Sequence, residues 1–99
     1  MLRRGRLTVA VSTSGAGPAA AALITEQLAE VFGEEYGPYL DFLHRLREEI
    51  KEREPSGEIR ARLLRKLSRL DVLNEMRQGT FIEWTPETVS AWIAVNREE

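Results

Sequence analysis

Large apolar side chains at Leu7, Val9 and Val11 alternate with Thr8 and Ala10. That period of two predicts a strand with one buried face. Ser12 to Gly17 interrupts it with hydroxyls and glycines, and Pro18 suits the first position of a helix, where its missing N–H costs nothing. The period then turns helical, with Leu23, Leu28, Val31 and Phe32 forming a stripe that Gly33 closes. A second helix is expected from about Gly37 to Glu54, with Tyr39, Leu40, Leu43, Leu46 and Ile50 at helical spacing. Pro55-Ser56-Gly57 breaks it, and Ser56 suits the N-cap of a third helix carrying Ile59, Leu63, Leu64, Leu67 and Leu70. Asp71 can cap a short helix with Val72, Leu73 and Met76, ended by Gly79. Thr85-Pro86-Glu87 reads as N-cap, N1 proline and first-turn acid, so a last helix should reach about Asn96 with Val89, Trp92 and Ile93 buried.

The expected architecture is α+β and mainly α, with one N-terminal strand followed by four or five helices. Residues 1–17 form the end of a sheet with its Ser/Gly turn, and residues 18–99 form one compact helical unit. A lone strand leaves backbone donors and acceptors unpaired, so it needs a neighbour. Thr80–Trp84 could supply one, but nothing in its spacing requires it. The expected neighbour is a strand of a second copy, or one encoded ahead of Met1.

Composition narrows the chemistry. With 99 residues the chain is one small domain, too short for a cofactor domain and a substrate domain together. Hydrophobic residues at 42% and charged ones at 30% place it among globular chains. Fourteen basic against sixteen acidic residues leave a net charge of −2, which argues against a general nucleic-acid binder. Without cysteine and with the single His44, disulfide scaffolds, thiol nucleophiles and zinc knuckles are excluded. The apolar run after the basic N-terminus is too short for a signal peptide, and no run approaches a membrane span. The expected location is the cytoplasm, with neither nucleic acid nor membrane as partner.

The most specific local feature is the strand, then Ser12-Thr13-Ser14-Gly15-Ala16-Gly17, then the helix at Pro18. A helix N-terminus presents unpaired N–H groups and partial positive charge, and hydroxyls and glycines ahead of it let an anion approach closely. The same segment also reads as a strand-to-helix turn with capping hydroxyls. No lysine follows the glycines as a phosphate-binding loop requires, and the spacing departs from G-x-G-x-x-G. Asp41 and His44, three apart on a helix, could face one another, although no other His or Cys completes a metal site. Arg3, Arg4 and Arg6 cluster beside the strand, and Arg60, Arg62, Arg65, Lys66 and Arg69 form a basic helix face that reads first as solvated. Trp84 and Trp92 read as core. No metal or catalytic set is expected within the chain.

From Arg3 through Pro18 the sequence resembles the sirohaem synthase family, the precorrin-2 dehydrogenases and sirohydrochlorin ferrochelatases. The shared pattern is basic residues, an apolar strand, a Ser/Thr/Gly turn, and a proline opening an Ala- and Leu-rich helix. Leu63–Leu67 and Val72–Gly79 are similar to the family's C-terminal helical part. The resemblance implies an NAD-binding domain upstream, holding the dinucleotide glycines and the catalytic aspartate, so that this chain holds neither. It implies that residues 1–17 end a dimerisation region, that the chain forms a homodimer, and that the whole enzyme binds a carboxylate-rich tetrapyrrole. Ser12, Thr13, Ser14 and Gly15, with Arg6 and its neighbours Arg3 and Arg4, are the implied substrate contacts. Gly17 stands where the family usually has Ser, and Ala22 and Thr25 stand where Arg or Lys is frequent. Those departures bear on substrate binding more than on the fold. Alone, the chain is expected to be catalytically silent. The alternative is a free-standing dimeric interaction or regulatory module.

Overall fold

The computed structural model describes residues 1–98. The chain is α+β and mainly α, as the pattern predicts: β1 (Leu2–Arg4), β2 (Leu7–Val9), α1 (Pro18–Val31), α2 (Tyr36–Arg53), α3 (Gly57–Leu67), α4 (Val72–Gln78) and α5 (Pro86–Asn96). Among the described residues no helix is long and apolar enough to cross a membrane. Contacts divide the chain into two compact units, Met1–Asp41 and the remainder from Phe42.

The first unit corrects the expectation of an unpaired strand. β2 pairs antiparallel with β1 in the same chain, with Leu2 opposite Val9, Arg3 opposite Thr8 and Arg4 opposite Leu7. The reason is the two-residue link Gly5-Arg6. Gly5 has φ +60° and Arg6 is not in the left-handed region, the pattern of a tight turn whose twist suits a hairpin. The turn packs closely, because a Cβ on Gly5 would lie 3.0 Å from Gly37 Cα. Leu2 is buried, and Leu7 and Val9 are half-buried.

Arg4 spans from the hairpin to the end of α1. Its Nε donates to the Phe32 carbonyl at 2.8 Å and its Nη2 to the Ala29 carbonyl at 3.4 Å. The last turn of α1 carries no basic residue of its own. Arg4 therefore supplies both the donors and the positive charge that a helix C-terminus favours. The rings of Phe32, Tyr36 and Tyr39 then stack edge to face across the α1–α2 link.

The second unit follows the sequence pattern more closely. Phe42, Leu46 and Ile50 on α2, Leu63 and Leu67 on α3, Val72 on α4, and Val89 and Ile93 on α5 are its buried apolar residues. Each pair or triplet within a helix recurs at i, i+4, the spacing of a single face. Ser56 Oγ accepts the Ile59 amide and Thr85 Oγ1 accepts the Thr88 amide, so both predicted N-caps form. Gly79 ends α4 at φ +72°. Thr80–Trp84 is not a strand. Phe81 and Trp84 instead place their rings 5.5 and 5.3 Å from Phe42, and Arg45 holds Glu83 at 2.6 Å.

Among the described residues the buried polar side chain is Glu54, 2% exposed. Its carboxylate accepts from the Ser56 amide and from Arg97 Nε and Nη2 at 3.0 and 3.3 Å. The Arg97 hydrogen bonds hold the Glu54 carboxyl below the usual range, against a desolvation cost that acts the other way. A depressed carboxyl pKa contributes stability that is present above the unfolded value and is lost as pH falls through the folded value. Thermal melts should therefore show the midpoint dropping as pH is taken below the ordinary glutamate range. Glu54→Gln should lower the midpoint at neutral pH and flatten that acid limb; an unchanged limb in the variant would assign it to other carboxylates.

Candidate functional site

The loop between β2 and α1 is built by its backbone. The Thr13 carbonyl accepts the Ala16 amide at 3.2 Å across a turn whose central residues, Ser14 and Gly15, have φ +51° and +95°. A serine in this region is uncommon, and the glycine beside it lets the chain reverse at little steric cost. Gly17, at φ +113°, then serves as the N-cap of α1. No side chain caps that helix. The capping-hydroxyl reading is thereby corrected: Ser12, Thr13 and Ser14 do not satisfy the first turn. Pro18 lacks an N–H, the Ala21 amide is taken by the Gly17 carbonyl, and the first turn holds no acid. The amides of Ala19 and Ala20 and three hydroxyls are left for an incoming acceptor.

The structure brings Ser12, Thr13, Ser14 and Gly15 into one exposed or half-exposed loop. It places Arg6 at the other end of β2, in the hairpin turn, where Nε donates to Asp41 at 2.9 Å. Arg4 is committed to the end of α1. Arg3 is exposed and stands opposite Thr8, toward the end of β2 from which the loop departs. Of the three N-terminal arginines, Arg3 is the one whose side chain has no hydrogen-bond or ion-pair partner among the described residues.

Two further sequence candidates dissolve. Asp41 pairs with Arg6, and His44 is exposed. On the basic face of α3, Arg62 Nη2 donates to the Arg97 carbonyl at 2.8 Å and Lys66 Nζ to the Asn96 carbonyl at 3.1 Å. These two cations cap the C-terminus of α5, a use that the charge pattern alone does not reveal. Among the described residues no group of His, Cys, Asp and Glu side chains could hold a metal ion.

Residues 7–25 contain no ionisable side chain. The loop can therefore recognise an anion through dipoles and hydroxyls, but it cannot itself transfer a proton to or from a substrate. The departure from G-x-G-x-x-G lies only in the third place, because Gly15-Ala16-Gly17-Pro18-Ala19-Ala20 keeps two glycines of a dinucleotide fingerprint and has alanine where the third stands. The preceding strand belongs to an antiparallel hairpin, not to the parallel βαβ unit that such a fingerprint needs, and Pro18 removes one amide from the cradle. The residues present do not fit a nicotinamide dinucleotide.

Residues 4–30 match the family model of the sirohaem biosynthesis protein central region. The match covers the hairpin from Arg4, the loop and all but the last residue of α1. The helical segments Leu63–Leu67 and Val72–Gly79 lie outside it. No curated protein and no solved structure matches the chain.

Proposed function

We infer that this chain carries the central region of a sirohaem-biosynthesis protein, and that its Ser12–Gly15 loop takes a carboxylate of a tetrapyrrole. The observation that carries the reading is a coincidence in space. The segment that matches the family is also the segment whose hydroxyls, glycines and open helix amides are left without internal partners. A carboxylate suits such a cradle because the helix end favours negative charge and the glycines let it approach the backbone. Arg3 adds a cation from the neighbouring strand. Oxidation of precorrin-2 with NAD, and any insertion of iron, belong to a companion domain in this reading. The loop offers no group for acid–base work and no fit for the dinucleotide.

The reading includes a second copy of the chain as partner. None of the 14 residues of α1 is buried, and Leu23 and Val31 are 56% and 61% exposed. Beyond β1, the other edge of β2 is unpaired in the two-stranded sheet. An apolar helix and an open strand edge on one unit are what association between copies would cover. The same observation favours the alternative of a non-catalytic dimeric module, which would keep this surface and bind no tetrapyrrole.

Titration with an octacarboxylate porphyrin, read by its absorbance and by tryptophan quenching, separates the two. Saturable binding that the octamethyl ester does not show supports the carboxylate site. Gly15→Val, which forces a β-branched residue to φ +95°, should weaken that binding about tenfold or more, roughly 1.4 kcal/mol. Absence of binding, together with an intact dimer, would favour the module. Incubation with precorrin-2 and NAD should yield no sirohydrochlorin above background.

A further inference from the structure

Two surfaces of this chain are complementary in apolar character and charge. The first is the outer side of α1. Leu23, Ile24 and Val31 are exposed along it, and its only charges are Glu26 and Glu30, one turn apart at i, i+4 on the edge of that apolar stripe. Neither carboxylate has an ion-pair partner among the described residues.

The second surface is a groove of about 180 Å³ between α2 and α3, lined by Leu43, Arg47, Leu64, Leu67 and Ser68. Its floor is apolar and large enough for one leucine-sized side chain. Its rims are basic. Arg47 stands on the α2 side, and Lys51, one turn further along, is held by Glu48 at 3.7 Å. On the α3 side Arg65 follows Leu64 in the helix, and Arg69 lies just past the helix's C-cap, Ser68. Arg47, Arg65 and Arg69 are exposed and have no carboxylate within ion-pair distance among the described residues. The neighbouring cations of α3, Arg62 and Lys66, are spent on α5. Of the unspent ones Arg47 lines the groove, and Arg65 and Arg69 are sequence neighbours of its lining residues Leu64 and Ser68.

We propose that α1 of a second copy docks on the α2–α3 groove, with Leu23 entering the apolar floor and Glu26 and Glu30 meeting Arg47 and Arg65 at its rims. The inference rests on the reading that two copies associate, and it names the surface that receives α1. An acidic apolar helix facing a basic-rimmed apolar groove satisfies charge and burial together. One groove of this size is a small contact, but a two-fold arrangement makes it twice, each copy giving its helix and receiving the other's.

The test is a charge swap read by analytical ultracentrifugation of the full chain. Arg47→Glu and the double variant Glu26→Arg/Glu30→Arg should each weaken the dimer by about tenfold or more. All of these side chains are exposed, so far-UV circular dichroism should match the unmodified chain, and melting should fall only by the part that depends on protein concentration. Mixing the two variants should recover part of the association as a heterodimer, because one of its two contacts is then the native pairing, while in the other the carboxylate at position 47 offsets part of the repulsion. Unchanged dimerisation of Arg47→Glu, or a mixture that stays monomeric, overturns the groove as the receiving surface. If Leu23→Glu abolishes the dimer while Arg47→Glu does not, the association of copies stands and the groove fails. A chain that is monomeric at tens of micromolar overturns both.

Discussion

Leu63→Ala is expected to destabilise the protein by about 2–5 kcal/mol, a large share of the roughly 5–15 kcal/mol that holds a domain folded. Leu63 is fully buried on α3, and the other side chains buried to the same degree are Leu46 and Ile50 on α2 and Val89 on α5. Truncation loses the transfer energy of the removed methyl groups and leaves a cavity that close-packed helices fill only in part. For a chain of this length the midpoint should fall by roughly 8–40 °C, at about 4–8 °C for each kcal/mol. Leu64→Ala is the comparison, because Leu64 is half-buried at the mouth of the α2–α3 groove. It should cost about 1 kcal/mol, since part of its area is already in water. Urea melts of both variants check the difference. Equal costs would mean that the core is not centred on the Leu63 face of α3.

Gly5→Val should disrupt the hairpin, costing about 1–3 kcal/mol in backbone strain before any clash is counted. Gly5 sits at φ +60°, which a β-branched residue adopts only under strain, and its Cβ would come within 3.0 Å of Gly37 Cα. The obstacle is backbone on both sides, so no rotamer change relieves it. Gly37→Ala provides the opposite case. Its Cβ would meet nothing nearer than 3.9 Å, and alanine restricts the unfolded chain and favours the helix. It should be neutral or stabilising by up to about 1 kcal/mol. Amide exchange across Leu2–Val9 reports the hairpin directly: fast exchange in Gly5→Val and native protection in Gly37→Ala are the expected pair. Native protection in Gly5→Val would show that the turn relaxes to accept a side chain. Because β2 leads directly into the Ser12–Gly15 loop, loss of the hairpin should also weaken porphyrin binding.

The helices were legible because their signals are local. Leu46 and Ile50, Leu63 and Leu67, and Val89 and Ile93 announce buried faces by spacing alone. Ser56 and Thr85 mark helix starts through the amides their hydroxyls accept, Pro86 through its fixed φ, and Gly79 a helix end through the positive φ that a residue without Cβ tolerates. The loop before α1 was legible for the same reason: glycines, hydroxyls and a proline in sequence describe a backbone path. β1 was hidden because three residues, two of them arginine, present too short an alternation to stand out from a basic cluster. The strand-like apolar and aromatic run at Thr80–Trp84 was ambiguous in the opposite sense, since its rings are used against Phe42 and not in a ladder.

What the chain alone determined, then, is where helices begin and end, which faces they bury, and that a turn of glycines and hydroxyls precedes the first of them. Each of these follows from a side chain acting on its own backbone or on a neighbour one turn away. The tertiary structure decided what the charges do. In sequence Arg3, Arg4 and Arg6 form one cluster and Arg62, Arg65 and Lys66 another. In space Arg4 closes α1, Arg6 holds Asp41, Arg62 and Lys66 close α5, and Arg97 reaches back across the chain to the buried Glu54. A guanidinium on a long stem takes whichever carbonyl or carboxylate the fold brings within 3 Å or so, and that partner lies tens of residues away. Periodicity carries no record of such distances, so the division between structural and available cations exists only once the helices are packed.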